Sequence, residues 1–426
     1  MTAVGRTRRV RAAVGMALCL TMLATGCGGG SGDDGTVELR FTWWGNAERA
    51  ELTQQVIDLF EERHPNITIS PDFAEFEAYW QARSTEVAGG GLPDVLQMDY
   101  VYLRQYAERG VLLDLNPQVE AGNLDTSDMV SGLAETGVID GGLYGVAWAG
   151  NTWSMAYNPA LFEQAGVPLP EVGWTWDDYH NAIRTITERT GVHGAPDYIG
   201  RIYVLELQLL QEGGQLYTED GQLGFTRDQL RDFWNSTASL RDGGYTLPPQ
   251  ESAEVAPLTP LGADLVASEM SWDNFLVRYA GETETPLALG PVPSDNPEVL
   301  GQYLKPSMLL SASARTEHPE EVAMFIDFLI NDPEAGRILG GNRGIPATNA
   351  QREAAELTEV EQAVVDYENS LIEAGDLQPA PPAPPAGAGT IEALFLRLGE
   401  EISYGRISVD EAVEQFFTEA ETALAS

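Results

Sequence analysis

Cysteine is almost missing from this chain. Cys19 and Cys27 are the only two, and Cys19 falls inside an N-terminal apolar run. A disulfide framework, a cysteine-based metal site and a thiol nucleophile are therefore excluded as organising features. Lysine is scarcer still, with Lys305 standing alone. The four histidines, His64, His180, His193 and His318, have no metal-ligand spacing, so no metal centre is expected. Positive charge is scarce throughout: 24 Lys and Arg face 65 Asp and Glu, for a net charge of −41. Such a polyanion repels nucleic acid, which removes that class of partner. Dispersed carboxylates serve solubility and do not imply a cationic ligand. A phosphate-cradling glycine loop is also missing, because Gly89-Gly90-Gly91 closes a predicted helix instead of opening one. No cofactor is expected.

Long apolar runs are missing too. Val14–Leu23 is mostly apolar, but a membrane span needs about 20 residues. Behind Arg6, Arg8, Arg9 and Arg11 it has the plan of a secretory signal. Leu23-Ala24-Thr25-Gly26-Cys27 resembles a bacterial lipobox, with Ala24 where a leucine is usual. That resemblance implies a signal peptide over residues 1–26, lipidation of Cys27 and an anchor in the outer face of the membrane. The glycine-rich stretch 27–36 then reads as a flexible tether. The chain from Val37 onward is long enough for two lobes with their own cores.

Val37–Trp43 alternates apolar and polar residues as a strand does. Asn46 is placed to cap a helix carrying Leu52, Val56, Leu59 and Phe60 at helical spacing. His64-Pro65-Asn66 ends that helix, and a second strand comes next around Ile67 and Ile69. This β-α-β unit predicts an α/β fold with an open, mainly parallel sheet. Ligands of such sheets sit beyond the carboxyl ends of the strands, here Trp43–Glu48 and Met98–Tyr102. Chain crossings between lobes are predicted near Gly150-Asn151-Thr152, near Pro286–Val292 and at Asn342–Pro346. Thr175 and Asp178 predict a capping box. Helices are expected over Pro319–Ile330, Glu359–Ala374, Ile391–Ser403 and Val409–Leu424. The Pro- and Ala-rich stretch Gln378–Gly389 reads as a semi-rigid surface loop.

Several ordered blocks resemble the family 1 extracellular solute-binding proteins of ABC importers. They include Trp43-Trp44-Gly45-Asn46, GLPDVLQMDYVYLRQYAERGVLLDL, YGVAWAGNTWSMAYNPALFEQAGVP, WTWDDY, MSWDNF, AMFIDFLINDPEAGRILG and NRGIP. The resemblance implies a type II, maltose-binding-like architecture: two α/β lobes, three hinge crossings and a cleft between them. Lobe I is expected over 37–149 plus 288–342, and lobe II over 150–287 plus 343–426. It also implies a monomer that captures a mono- or oligosaccharide and hands it to ABC permease subunits.

Sugar faces stack on aromatic rings, and sugar hydroxyls need positioned donors and acceptors. The predicted junctions offer both: Trp44, Asn46 and Glu48; Asp99 and Tyr100; Asn151 and Trp153; Trp272, Asp273 and Asn274; and Arg343. By resemblance, Trp272 is the lobe II stacking platform, Asp99, Asp273 and Asn274 hold hydroxyls, and Arg343 donates to a hydroxyl or a neighbouring carboxylate. Trp43, Trp148 and Trp153 fit strand or hinge packing as well as ligand contact. Arg343 as the one obvious cation favours a neutral polyhydroxylated ligand. Two other readings stay open. One is a secreted glycoside hydrolase, whose two carboxylates must lie about 5–10 Å apart. The other keeps the fold with a non-sugar solute such as a polyol or glycerol phosphate.

Overall fold

The computed structural model describes residues 36–130 and 132–425; the apolar run, Cys27 and the tether up to Gly35 lie outside them. The first strand, β1, is Val37–Trp44, and its alternation buries Leu39, Phe41 and Trp43 on one face. Helix α1, Ala47–Arg63, starts from a cap in which Asn46 Oδ1 accepts from Arg49 N at 2.9 Å. It buries Val56, Ile57 and Phe60 and returns the chain to β2, Ile67–Ala74. β2 lies parallel to β1, from Val37↔Ile67 to Trp44↔Ala74. Helix α2, Phe76–Gly89, ends in a left-handed Gly90 and leads to β3, Val95–Met98, also parallel to β1. Helix α3, Tyr100–Glu108, starts directly after Asp99.

Three more strands complete this six-stranded sheet: β4, Val146–Asn151, and two that arrive from later in the chain. After β4 the backbone turns at Thr152 and enters a three-stranded sheet made of β5, Trp153–Tyr157, β6, Ser268–Trp272, and β7, Ala288–Gly290. The chain then returns as β8, Lys305–Ala312, between β3 and β4, and later adds β9, Ile345–Pro346, beside β4.

The two-lobed α/β architecture stands as expected. Strand direction is more mixed than the mainly parallel sheets anticipated, because β8 and β9 pair antiparallel in the first sheet and β6 and β7 pair antiparallel with β5 in the second. The reason is topological: these strands come back through the hinge, not through a helical crossover on the same sheet. Two crossings are displaced from their predicted places. β7 belongs to the second sheet, so the return falls between Gly290 and Lys305 and not at 288. β9 and the helix Asn349–Ala354 stay with the first sheet, where Gln351 Nε2 donates to Leu329 O at 3.0 Å. The third crossing therefore comes after Ala354.

The C-terminal helices Ala388–Ser403 and Val409–Leu424 seal the second lobe, packing Phe395 and Phe416 on Trp234. The Pro-rich stretch is not a free surface loop. Tyr100 donates its hydroxyl to Pro381 O at 2.8 Å, Arg104 Nε donates to Ala383 O at 3.0 Å, and Ala383 is buried against the first lobe. Proline cannot donate backbone hydrogen bonds, so the segment offers carbonyls, and α3 supplies the donors.

Candidate functional site

Where the strand ends of the two sheets face each other lies a cavity of about 580 Å³. That lies within the range of small-molecule sites, roughly 300–1,000 Å³. Trp44, at the end of β1, forms one wall and Trp272, at the end of β6, another. Both indoles are half-buried and held by other rings. Trp44 meets Phe76 and Tyr79 edge to face at 5.5 and 5.4 Å. Trp272 meets Trp153 at 4.8 Å and Tyr203 at 5.0 Å. Such packing fixes an aromatic platform before any ligand arrives.

The hinge contributes polar groups. Asn151, at the end of β4, and Asn274, just after β6, line the cavity, and each has a buried Oδ1 without a hydrogen-bond partner. Gly344 sits at φ +108, where an added Cβ would lie 3.0 Å from Ser307 Oγ and 3.1 Å from Asn151 Oδ1. Glycine is therefore required both by the backbone and by the close approach.

Trp44, Asn151, Trp272, Asn274 and Arg343 thus share one cavity. The other predicted residues have local duties instead. Asn46 spends its Oδ1 on the α1 cap, and Glu48 is exposed in the first turn. Asp99 caps α3, accepting from Val101 N at 2.9 Å. Tyr100 is buried under the Pro-rich strap. Trp153 is core that supports Trp272. Asp273 is fully buried and accepts from Thr152 N at 3.0 Å and Asn274 N at 2.7 Å, pinning the first crossing. Trp43 and Trp148 are core as well.

The charges on the wall differ from expectation. Arg49, Arg278 and Lys305 join Arg343 there, so the count of a single cation behind a neutral ligand does not hold. Arg278 is paired with Glu282 at 2.9 Å. Arg343 is buried at 4 % exposure, its guanidinium 4.1 Å from the Trp148 ring centre, with Nη2 donating to Thr53 at 2.6 Å. Burial, and then the charge of Arg49, pull its pKa well below the ordinary arginine value. Arg49 reaches back to Asn342, with Nε donating to Oδ1 at 3.0 Å and Nη2 to the carbonyl at 2.7 Å. Lys305 Nζ stands 5.0 Å from the Trp272 ring centre and 5.6 Å from that of Tyr203. Two signals could have exposed these residues in the sequence. A lone lysine in so acidic a chain is conspicuous, and Arg49 occupies a helix first turn, where the dipole disfavours a cation.

On another side of Lys305 is a smaller cavity of about 30 Å³, lined among others by Tyr100, Tyr303, Glu206 and Glu392. It has room for a water, not a sugar. Burial pushes the Glu206 carboxyl up to about 7, while the Tyr303 hydroxyl, donating at 2.6 Å, and nearby Lys305 hold it down. A carboxyl raised on folding contributes stability that is complete below its unfolded value and disappears as pH rises through about 7. Thermal unfolding from pH 5 to pH 8 should therefore show a falling midpoint. Glu206→Gln should flatten that slope by up to about 3 kcal/mol. Glu269 and Glu392, also raised by burial, leave a residual slope. An unchanged slope in the variant would refute the assignment.

Comparison with known proteins agrees with this fold. The family profile described as bacterial extracellular solute-binding protein matches residues 45–336. An uncharacterized lipoprotein of Streptomyces antibioticus is 27 % identical over 82 % of this chain and 78 % of its own length. A diacetylchitobiose binding protein of Streptomyces coelicolor is 26 % identical over about half of each chain, 50 % and 51 %. The solved structure of a family 1 extracellular solute-binding protein from Alicyclobacillus acidocaldarius superimposes with a TM-score of 0.76. It is 30 % identical and covers 92 % of this chain and 99 % of its own.

Proposed function

This chain belongs to the bacterial extracellular solute-binding proteins, and from that premise we propose that it captures a mono- or oligosaccharide and delivers it to the permease of an ABC importer. The observation that carries the reading is the pair of half-buried indoles, Trp44 and Trp272, facing one interlobe cavity beside the unpartnered Asn151 and Asn274 oxygens. Indole faces receive the C–H surface of a sugar, and the amide oxygens accept its hydroxyl protons. Ligand that touches both lobes favours the closed arrangement and so shifts the population toward it. The permease then recognises the closed form. The lipobox-like Cys27 supports anchoring at the outer face of the membrane. Among the described residues no helix is long and apolar enough to cross it.

The wall composition supports binding over hydrolysis. Of the lining side chains Glu361 is the one carboxylate, and it is engaged at the N-terminus of the helix Glu359–Ala374, accepting from Thr358 N and Oγ1 at 2.8 Å. A glycosidase needs a pair. Thermal-shift and calorimetric screening against mono- and oligosaccharides tests the proposal. A bound sugar raises the melting point further as its concentration rises above its dissociation constant and is recovered intact. New reducing ends would replace it with the hydrolase reading, and a polyol bound in preference to every sugar would replace it with the non-sugar one.

A further inference from the structure

Three of the cations that form no ion pair among the described residues stand together on the cleft wall. Among the described residues, Arg49, Arg343 and Lys305 form no ion pair, although the chain carries 65 acidic side chains to 24 basic ones. Arg343 is the most telling. It is more than nine-tenths buried and lines the cavity, yet its Nε and Nη1 have no hydrogen-bond partner. A guanidinium out of water without a counter-charge is costly, and two unmade donors add to that cost. Arg49 stands close enough to repel it, and both are fixed through the same turn: Arg49 holds Asn342, and the Arg343 carbonyl accepts from Ser307 Oγ at 2.8 Å. Lys305 lies two residues before Ser307 on β8. The acidic groups that Lys305 influences, Glu206 and Glu392, border the smaller cavity. Glu361, the carboxylate on the main wall, is engaged as a helix cap.

We propose that the captured sugar carries an oxyanion, a carboxylate or a phosphate, received by Arg343 and Arg49 with Lys305 adding long-range attraction. This rests on the carbohydrate reading above and narrows it to acidic sugars. A guanidinium whose Nε and Nη1 lack acceptors offers charge-assisted donors to the oxygens of a carboxylate or phosphate. An anion at this point would supply the missing acceptors, relieve the repulsion between the two arginines and favour the charged form of both. The Asn151 and Asn274 oxygens remain for hydroxyls, which the same ligand also has.

The test is calorimetric titration of the full mature chain with matched pairs: glucuronate against glucose, galacturonate against galactose, the corresponding dimers, and glucose 6-phosphate against glucose. The acidic member of at least one pair should bind about ten or more times more tightly, with a preference that shrinks as salt rises. The uronate and phosphate arms decide between the two oxyanions. Arg343→Gln should cut the preference at least tenfold. If that variant does not fold, Arg49→Gln and Lys305→Gln on the cavity wall should each reduce it. Neutral sugars binding as well as or better than their acidic partners would overturn this inference and leave the carbohydrate reading standing. Binding by no member of any pair would also overturn this inference, and the carbohydrate reading would then stand or fall on the wider screen above.

Discussion

On the carbohydrate reading, Trp272→Ala should lower sugar affinity by about a hundredfold, roughly 2–3 kcal/mol, the scale of a buried aromatic anchor. The ring is half-buried and is held on the cavity wall by Trp153 and Tyr203, with Lys305 over its face. Alanine removes the stacking surface and frees Lys305 and Tyr203 to move into the space. Trp272→Phe keeps a smaller face and should recover part of the loss. Because Trp272 pairs with Trp153 at the end of β6, the backbone ladder survives in both variants, and the backbone signal in far-UV circular dichroism should persist. Titration with the sugar found by screening gives the ratio directly. An affinity within threefold of the parent would remove Trp272 from the site.

The second large effect concerns stability. Arg352→Met should cost about 3–5 kcal/mol, because breaking one side of a buried ion pair leaves the other charge uncompensated. Arg352 and Glu368 meet at 2.6 Å with side-chain exposures of 6 % and 0 %. Arg352 Nε also donates to Pro346 O at 2.7 Å. The pair bridges the third crossing, from the helix Asn349–Ala354 beside the first sheet to the helix Glu359–Ala374 on the second lobe. Glu368 is next to Asp273, and burial raises both carboxyls, Asp273 strongly. Without the arginine the two must stay protonated or repel, so the deficit should be greater at pH 8 than at pH 5. The double variant Arg352→Met with Glu368→Leu should recover most of the loss, since apolar replacement of a buried pair is often neutral. Urea unfolding of the parent and the two variants measures this. A loss below about 1 kcal/mol in the single variant would refute it.

Much of the fold is legible in the sequence because local rules and tertiary packing agree. The period-two alternation of Val37–Trp44 marks a strand buried on one face, and Asn46 announces the next helix through its cap. The capping box of Thr175 and Asp178 is present, and the helices Glu359–Ala374 and Val409–Leu424 begin and end where expected. The crossings are less legible. β7 and β9 have three and two residues, too few to show a period, and their partners lie far away in sequence. The site divides along the same line. Trp44, Trp272 and Arg343 stand at junctions and can be nominated from them. Asn46 and Asp99 stand at junctions too, but short polar side chains after a strand also cap the next helix, and the cap claims them. Arg49 meets Asn342 across 293 positions, a separation that no local pattern records. The Pro-rich strap departs from its expected exposure because composition reports stiffness but not what a stiff segment leans on.

Lys305 has a practical consequence. It supplies the sole ε-amine of the chain, and that amine borders the ligand cavity. Acylating reagents, which scatter over most proteins, have here one side-chain target, located where occupancy alters access. A dye coupled to it would place a single-position reporter on the cavity wall, and the rate of coupling would itself read out whether that cavity is occupied.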